Sequence, residues 1–311
     1  MKKTALIFLS ILVLLGCWDF FNRYNLGVTL RRGCYARIPV QFAGNSALIE
    51  VEIEGNKYPL KLDLGAACQF ALFGNALKII HKKKFAGIVL ITDIKGNQYE
   101  ENSYLIPCIQ KKNIKCTNAI VLEEHENFIE KGALLWRSDQ KRRIQAPFMG
   151  RIGRDFFISN NLFIDFPNSM IFVTNSLDQL KKDHWHIRNL FETEFEINRW
   201  GIIVSIETDI GIKKFILDTG ASASILRESQ VDSSLKKEAA LGLPTFTSMK
   251  FSIGGHDFGP LNILLFEMDH SVDADGYLGL DFFKKHAIYL DFKNNRAFIG
   301  ESSKVCGAIV F

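Results

Sequence analysis

Phe215-Ile216-Leu217-Asp218-Thr219-Gly220-Ala221-Ser222 decides how this chain is read. Three apolar residues deliver a carboxylate into a turn of small residues. The apolar run has the aromatic and β-branched content of a buried strand. Gly220 lets the backbone approach the carboxylate closely, because it carries no side chain to clash. Thr219 offers a hydroxyl to another loop. Further on, Tyr277-Leu278-Gly279-Leu280-Asp281-Phe282 sets two apolar residues and a glycine ahead of a short helix.

Both signals also stand earlier in the chain, in weaker form. Asp63-Leu64-Gly65-Ala66 ends an apolar run from Tyr58, and Arg151-Ile152-Gly153-Arg154-Asp155-Phe156 follows it. Gly153, Asp155 and Asp165 recur without a gap as Gly279, Asp281 and Asp291. Leu162-Phe163-Ile164-Asp165-Phe166 is answered by Ile288-Tyr289-Leu290-Asp291-Phe292. Shared order, spacing and chemistry point to a duplicated unit. Both copies are β-rich, with alternation in 48–53 and 202–206. Hairpins are predicted for 249–253 with 261–266, and for 104–109 with 114–122. Short helices are predicted at 155–160 and 281–286, with Asp155 and Asp281 as N-caps. Asp165 and Asp291 read as structural. Residues 123–148 are extra in the first unit. A polar stretch near 175–190 separates the copies.

The two hallmarks, in this order and in duplicate, resemble the aspartic peptidases, above all the retropepsin-like branch. The resemblance covers about 45–175 and 200–300. It implies a mainly β fold of two retropepsin-like β-barrel lobes in one chain, a bilobal acid-protease architecture. The lobes would be 46–180 and 181–311, pseudo-symmetric within a monomer. Asp63 and Asp218 would be the catalytic pair. Gly65, Ala66, Thr219, Gly220, Ala221 and Ser222 would support their turns. Two carboxylates in one site cannot both ionise, so the pair shares a proton. Such a pair activates a water against a peptide or protein substrate, with no metal or organic cofactor. A flap is expected at Asp93–Tyr99, and a second within 241–247. Leu64 departs from the family, which has Thr or Ser there. Leucine cannot donate a hydrogen bond. That departure motivates an alternative: an inactive envelope lipoprotein whose cleft binds peptides or a partner protein.

Lys2 and Lys3 precede an apolar run from Ala5 to Leu15 that ends Leu14-Leu15-Gly16-Cys17. This reads as an export signal over 1–16. It resembles a bacterial lipobox, which implies lipid on Cys17 and a membrane-anchored protein of the cell envelope. Residues 17–45 would then be a tether or a short pro-region. The 311 residues are 47% hydrophobic and include 26 Phe, a composition suited to β cores and unlike a disordered chain. The net charge of +4 lacks the strongly basic character of dedicated nucleic-acid binding. The cysteines form no Cys-x-x-Cys pair, which argues against zinc. Cys108 and Cys116 read either as a cross-strand disulfide or as two buried thiols. His184 and His186 lack a third ligand. Lys82-Lys83-Lys84 and Lys141-Arg142-Arg143 read as solvated charge.

Overall fold

The computed structural model describes residues 27–30, 35–124, 148–183, 189–238 and 243–302. The fold is mainly β, with two sheets in a bilobal aspartic-proteinase-like arrangement. Cys17, His184, His186 and the basic run 141–143 lie outside the described residues.

Each half opens with a hairpin that leads to its aspartate. Ser46–Ile53 pairs antiparallel with Asn56–Asp63, and Ile202–Thr208 pairs with Gly211–Leu217. A second short strand then slots in parallel beside the aspartate-bearing one. Gly150–Gly153 lies between Asn56–Asp63 and Phe70–Phe73. Gly276–Leu278 lies between Gly211–Leu217 and Ile225–Arg227. Parallel neighbours covered on both faces demand continuous apolar runs. Ile225–Arg227 and Gly276–Leu278 are accordingly buried throughout.

Six strands from both halves form an antiparallel platform. Their order is Phe191–Ile197, Arg296–Glu301, His286–Asp291, Asn161–Asp165, Met170–Thr174 and Ala36–Pro39. At its centre the two copies of the repeat pair with each other: Leu162 with Leu290, Phe163 with Tyr289, Ile164 with Ile288. Residues 162, 163 and 164 correspond to 288, 289 and 290 in the repeat. The pairing therefore maps onto itself, and a pseudo-twofold axis passes at Phe163 and Tyr289. The packing repeats too. Phe163 lies 5.9 Å from Phe172, and Tyr289 lies 5.9 Å from its counterpart Phe298. One apolar core runs through residues of both halves, from Ala36 to Ile299.

Several local expectations need correction. Leu261–Phe266 pairs with Pro244–Ser248, whereas Phe251–Ile253 turns back tightly onto His256–Asp257. The Gly254-Gly255 turn, both residues at positive φ, is too tight to carry the chain to Leu261. The short helices are Arg154–Phe156 and Leu280–Phe283, and their N-caps are Gly153 and Gly279. Asp155 and Asp281 lie inside the first turn instead. Asp281 accepts hydrogen bonds from the Phe282 amide and the Ser224 hydroxyl. Cys108 and Cys116 are free thiols. Their register is offset by one residue, with Cys108 opposite Thr117 and Cys116 opposite Ile109. The first-unit hairpin is as expected, Gln98–Lys111 with Ile114–Glu124.

Candidate functional site

The two aspartate turns meet across the interface between the halves. Each turn closes the same way. Ala66 N–H donates to the Asp63 carbonyl, and Ala221 N–H donates to the Asp218 carbonyl, both at 3.2 Å. Each is then tied to the helix behind it. Arg154 N–H donates to the Ala66 carbonyl and Leu280 N–H to the Ala221 carbonyl. The glycines allow the turns to interleave. A Cβ on Gly65 would lie 2.7 Å from the Asp218 carboxyl carbon, and one on Gly220 would strike the Asp63 carboxyl. Only glycine admits so close an approach. The Asp218 carboxylate accepts from Gly220 N–H at 2.7 Å and Gly65 N–H at 3.3 Å, one donor from each turn. Asp63 accepts from Ala66 N–H at 3.2 Å and shares a hydrogen bond with Asp218.

Thr219 is fully buried and reaches across from its own turn to the backbone of the other. Its hydroxyl donates to the Leu62 carbonyl at 3.0 Å and accepts from Leu64 N–H at 3.1 Å. The Leu64 side chain is fully buried in the core. The substitution thus removes a side-chain hydroxyl but keeps its backbone amide in the network. Ser222 is half-buried in the same turn.

The surroundings of the two carboxyls differ. Burial is the largest influence on Asp63 and would raise it, but the Arg151 guanidinium, Lys61 and hydrogen bonds from Asp218 and the Ala66 amide together outweigh it and hold the carboxyl below its ordinary range. Asp218 is pushed up to about 7, first by burial and then by the charge on Asp63. Arg151 Nη1 lies 3.2 Å from Asp63 Oδ2. The other side of the guanidinium grips Glu124, with Nε at 3.0 Å from Oε2 and Nη2 against Oε1. Glu124 is 3% exposed, and Glu101 beside it is likewise buried. Glu101 rises to about 7, from burial and from the Glu124 charge.

Arg154 ties the halves together behind the pair. It is buried, donating to Gly65 O at 2.9 Å and to Arg199 O at 2.8 Å. A hairpin of Lys84–Thr92 with Gln98–Lys111 turns at 93–97, where the flap was expected. Asp93 shapes that turn by accepting from Lys95 N–H, Asn97 N–H and the Tyr99 hydroxyl. The tip reaches the second half. Asp269 N–H donates to Ile94 O at 3.0 Å, and Ile94 packs on a cluster with Trp200, Met268 and Val272. Arg227 braces the receiving loop, donating to the carbonyls of Met268, Val272 and Ala274. In the second half, Lys237–Glu238 and Pro244–Ser248 pair, and the turn joining them lies outside the described residues.

The structure therefore brings Asp63, Gly65, Ala66, Asp218, Thr219, Gly220 and Ala221 to one place. Arg151, Glu124, Glu101 and Arg154 are additions that the sequence reading missed. Arg151 had a signal. It holds the position filled in the second unit by Tyr277, in a strand whose other members are apolar or glycine. Glu124 had none, lying where the unmatched segment begins.

No family model matches the chain, and no curated protein matches it in sequence. Solved structures do resemble it. The aspartic proteinase of Irpex lacteus superposes with a TM-score of 0.57 at 12% identity, over 87% of this chain and 98% of that one. Basic 7S globulin from soybean superposes with a TM-score of 0.58 at 8% identity, over 86% and 95% respectively. At these identities the likeness is one of fold.

Proposed function

We propose that the protein is a single-chain aspartic endopeptidase that hydrolyses peptide bonds with water activated by Asp63 and Asp218. The observation that carries this is the reciprocal fit of the two turns, each glycine facing the other turn's carboxylate. A pair so placed holds one proton between two carboxyls, so one member serves as base while the other donates. The hairpin over the cleft would cover an extended substrate. Lipid on Cys17 would hold the enzyme at a membrane of the cell envelope, as a monomer with two pseudo-symmetric lobes.

The test is cleavage of a mixed peptide library by the full chain in detergent, from acidic to neutral pH. Asp63→Asn and Asp218→Asn run beside wild type, and each is expected to abolish cleavage. Undiminished cleavage in either variant overturns the reading. A second reading, a peptide- or partner-binding lipoprotein without turnover, is favoured by Leu64 in place of a hydroxyl residue. It predicts peptide retention without cleavage in all three proteins.

A further inference from the structure

The pseudo-twofold axis relates Arg151 to Tyr277, because Gly153 corresponds to Gly279. The two residues sit at the same register beside the aspartates of their own halves. Arg151 pairs with Lys61 and Tyr277 with Ile216, one step ahead of Ile152–Leu62 and Leu278–Leu217. A symmetric frame thus carries a cation on one side and a neutral phenol on the other. Tyr277 is buried, and burial followed by the Asp218 charge pushes its hydroxyl further from ionisation.

We infer that Arg151, braced by Glu124, holds Asp63 as the ionised member of the pair and leaves Asp218 as the proton carrier. The inference rests on the peptidase reading for its consequence in catalysis. Its geometry stands alone. Arg151 touches Asp63, whereas the other cations nearby do not choose between the carboxyls. Lys61 acts on both. Arg154 spends its guanidinium on backbone carbonyls and feels both aspartates. The remaining groups are anionic or neutral. Glu124 and Glu101 come from the hairpin, Cys68 and Asp155 from the first half's turn and helix, and Tyr277 from the second half. A bare arginine would quench the basicity of Asp63. Glu124 prevents that, since Asp63, Arg151 and Glu124 together keep one negative charge.

Fixed roles make the chemistry directional. Asp63 takes a proton from water as the water oxygen bonds to the carbonyl carbon, and Asp218 gives its proton to the carbonyl oxygen. When the C–N bond breaks, the nitrogen takes the proton from Asp63. A diol hydroxyl returns its proton to Asp218, and both groups are restored. The competent state would extend from acid, where Asp63 stays ionised, to near neutrality, where Asp218 loses its proton.

The experiment follows the carboxyl signals of the full chain in detergent, made with 13C-carboxyl aspartate, as pH is varied. Asp63→Asn and Asp218→Asn assign the two signals. In wild type Asp63 should stay ionised to below the ordinary aspartate range while Asp218 titrates near neutrality. In Arg151→Gln the Asp63 titration should rise by about one to three units. The acidic limb of any peptidase profile should rise with it, while the neutral limb moves less. Arg151→Lys should restore part of the shift. An Asp63 that titrates at or above its ordinary value in wild type overturns the inference, even if Arg151→Gln fails to fold. So does an unchanged Asp63 in a folded Arg151→Gln. The spectra do not depend on turnover. An inert protein with Asp63 held ionised would sink the peptidase reading alone, and an active one with Asp63 protonated at its working pH would sink this inference alone.

Discussion

At the scale of single residues, the candidate site depends on a hydroxyl that appears once where the family pattern has two. Thr219 satisfies a buried amide and a buried carbonyl of the opposite half. Thr219→Val keeps the shape and orphans both groups, so it should cost about 1–3 kcal/mol, read from the denaturant midpoint. Leu64→Ala should cost more, about 2–5 kcal/mol, because it empties a fully buried site. The contrast separates the two jobs that a hydroxyl residue at 64 would combine. Glu101 gives a prediction with a sign in pH. Its folded value of about 7 lies above the ordinary 4.5, so its proton stabilises the fold in acid and that contribution is lost as pH rises through 7. Glu101→Gln should therefore raise the melting temperature relative to wild type at pH 8 and change it little at pH 4.

At the scale of elements, the hairpin ending at 93–97 is a bridge with one hydrogen bond and one apolar plug at its far end. Ile94→Asp would force a charge against Trp200, Met268 and Val272. Amide exchange at 93–98 should quicken while the platform strands keep their protection. If the peptidase reading holds, KM should rise more than kcat falls. Element-level reading of the sequence succeeded where chemistry was local. The turn of Asp93-Ile94-Lys95-Gly96-Asn97 announces itself through Asp, Gly and Asn. It failed where the partner was distant. Nothing within Leu261–Phe266 says that it pairs with Pro244–Ser248 rather than Phe251–Ile253. That choice is made by turn length and by the neighbouring strand Ile225–Arg227. The carboxylates and their glycines were legible because a motif carries them. The Arg151–Glu124 brace was not, because it joins residues on separate strands.

At the scale of the whole molecule, the platform makes the two halves one cooperative body. Phe163 and Tyr289 are almost wholly buried at its centre. Phe163→Ala should cost about 3–5 kcal/mol. Calorimetry should still show a single transition at lower temperature, because the main core draws its residues from both halves. A second transition that persists unshifted would show that one half folds independently.

The same platform sets a schedule for synthesis. Its central contact joins residues 126 positions apart, Phe163 and Tyr289, and the last of its strands in the chain finishes only at Glu301. Contacts of such long sequence separation form late. A nascent chain presents Asp63 long before Asp218 exists to meet it. The carboxylates can be brought together only after nearly the whole described chain has emerged. The order of strands thus delays assembly of the pair until almost all of the described chain is available to fold.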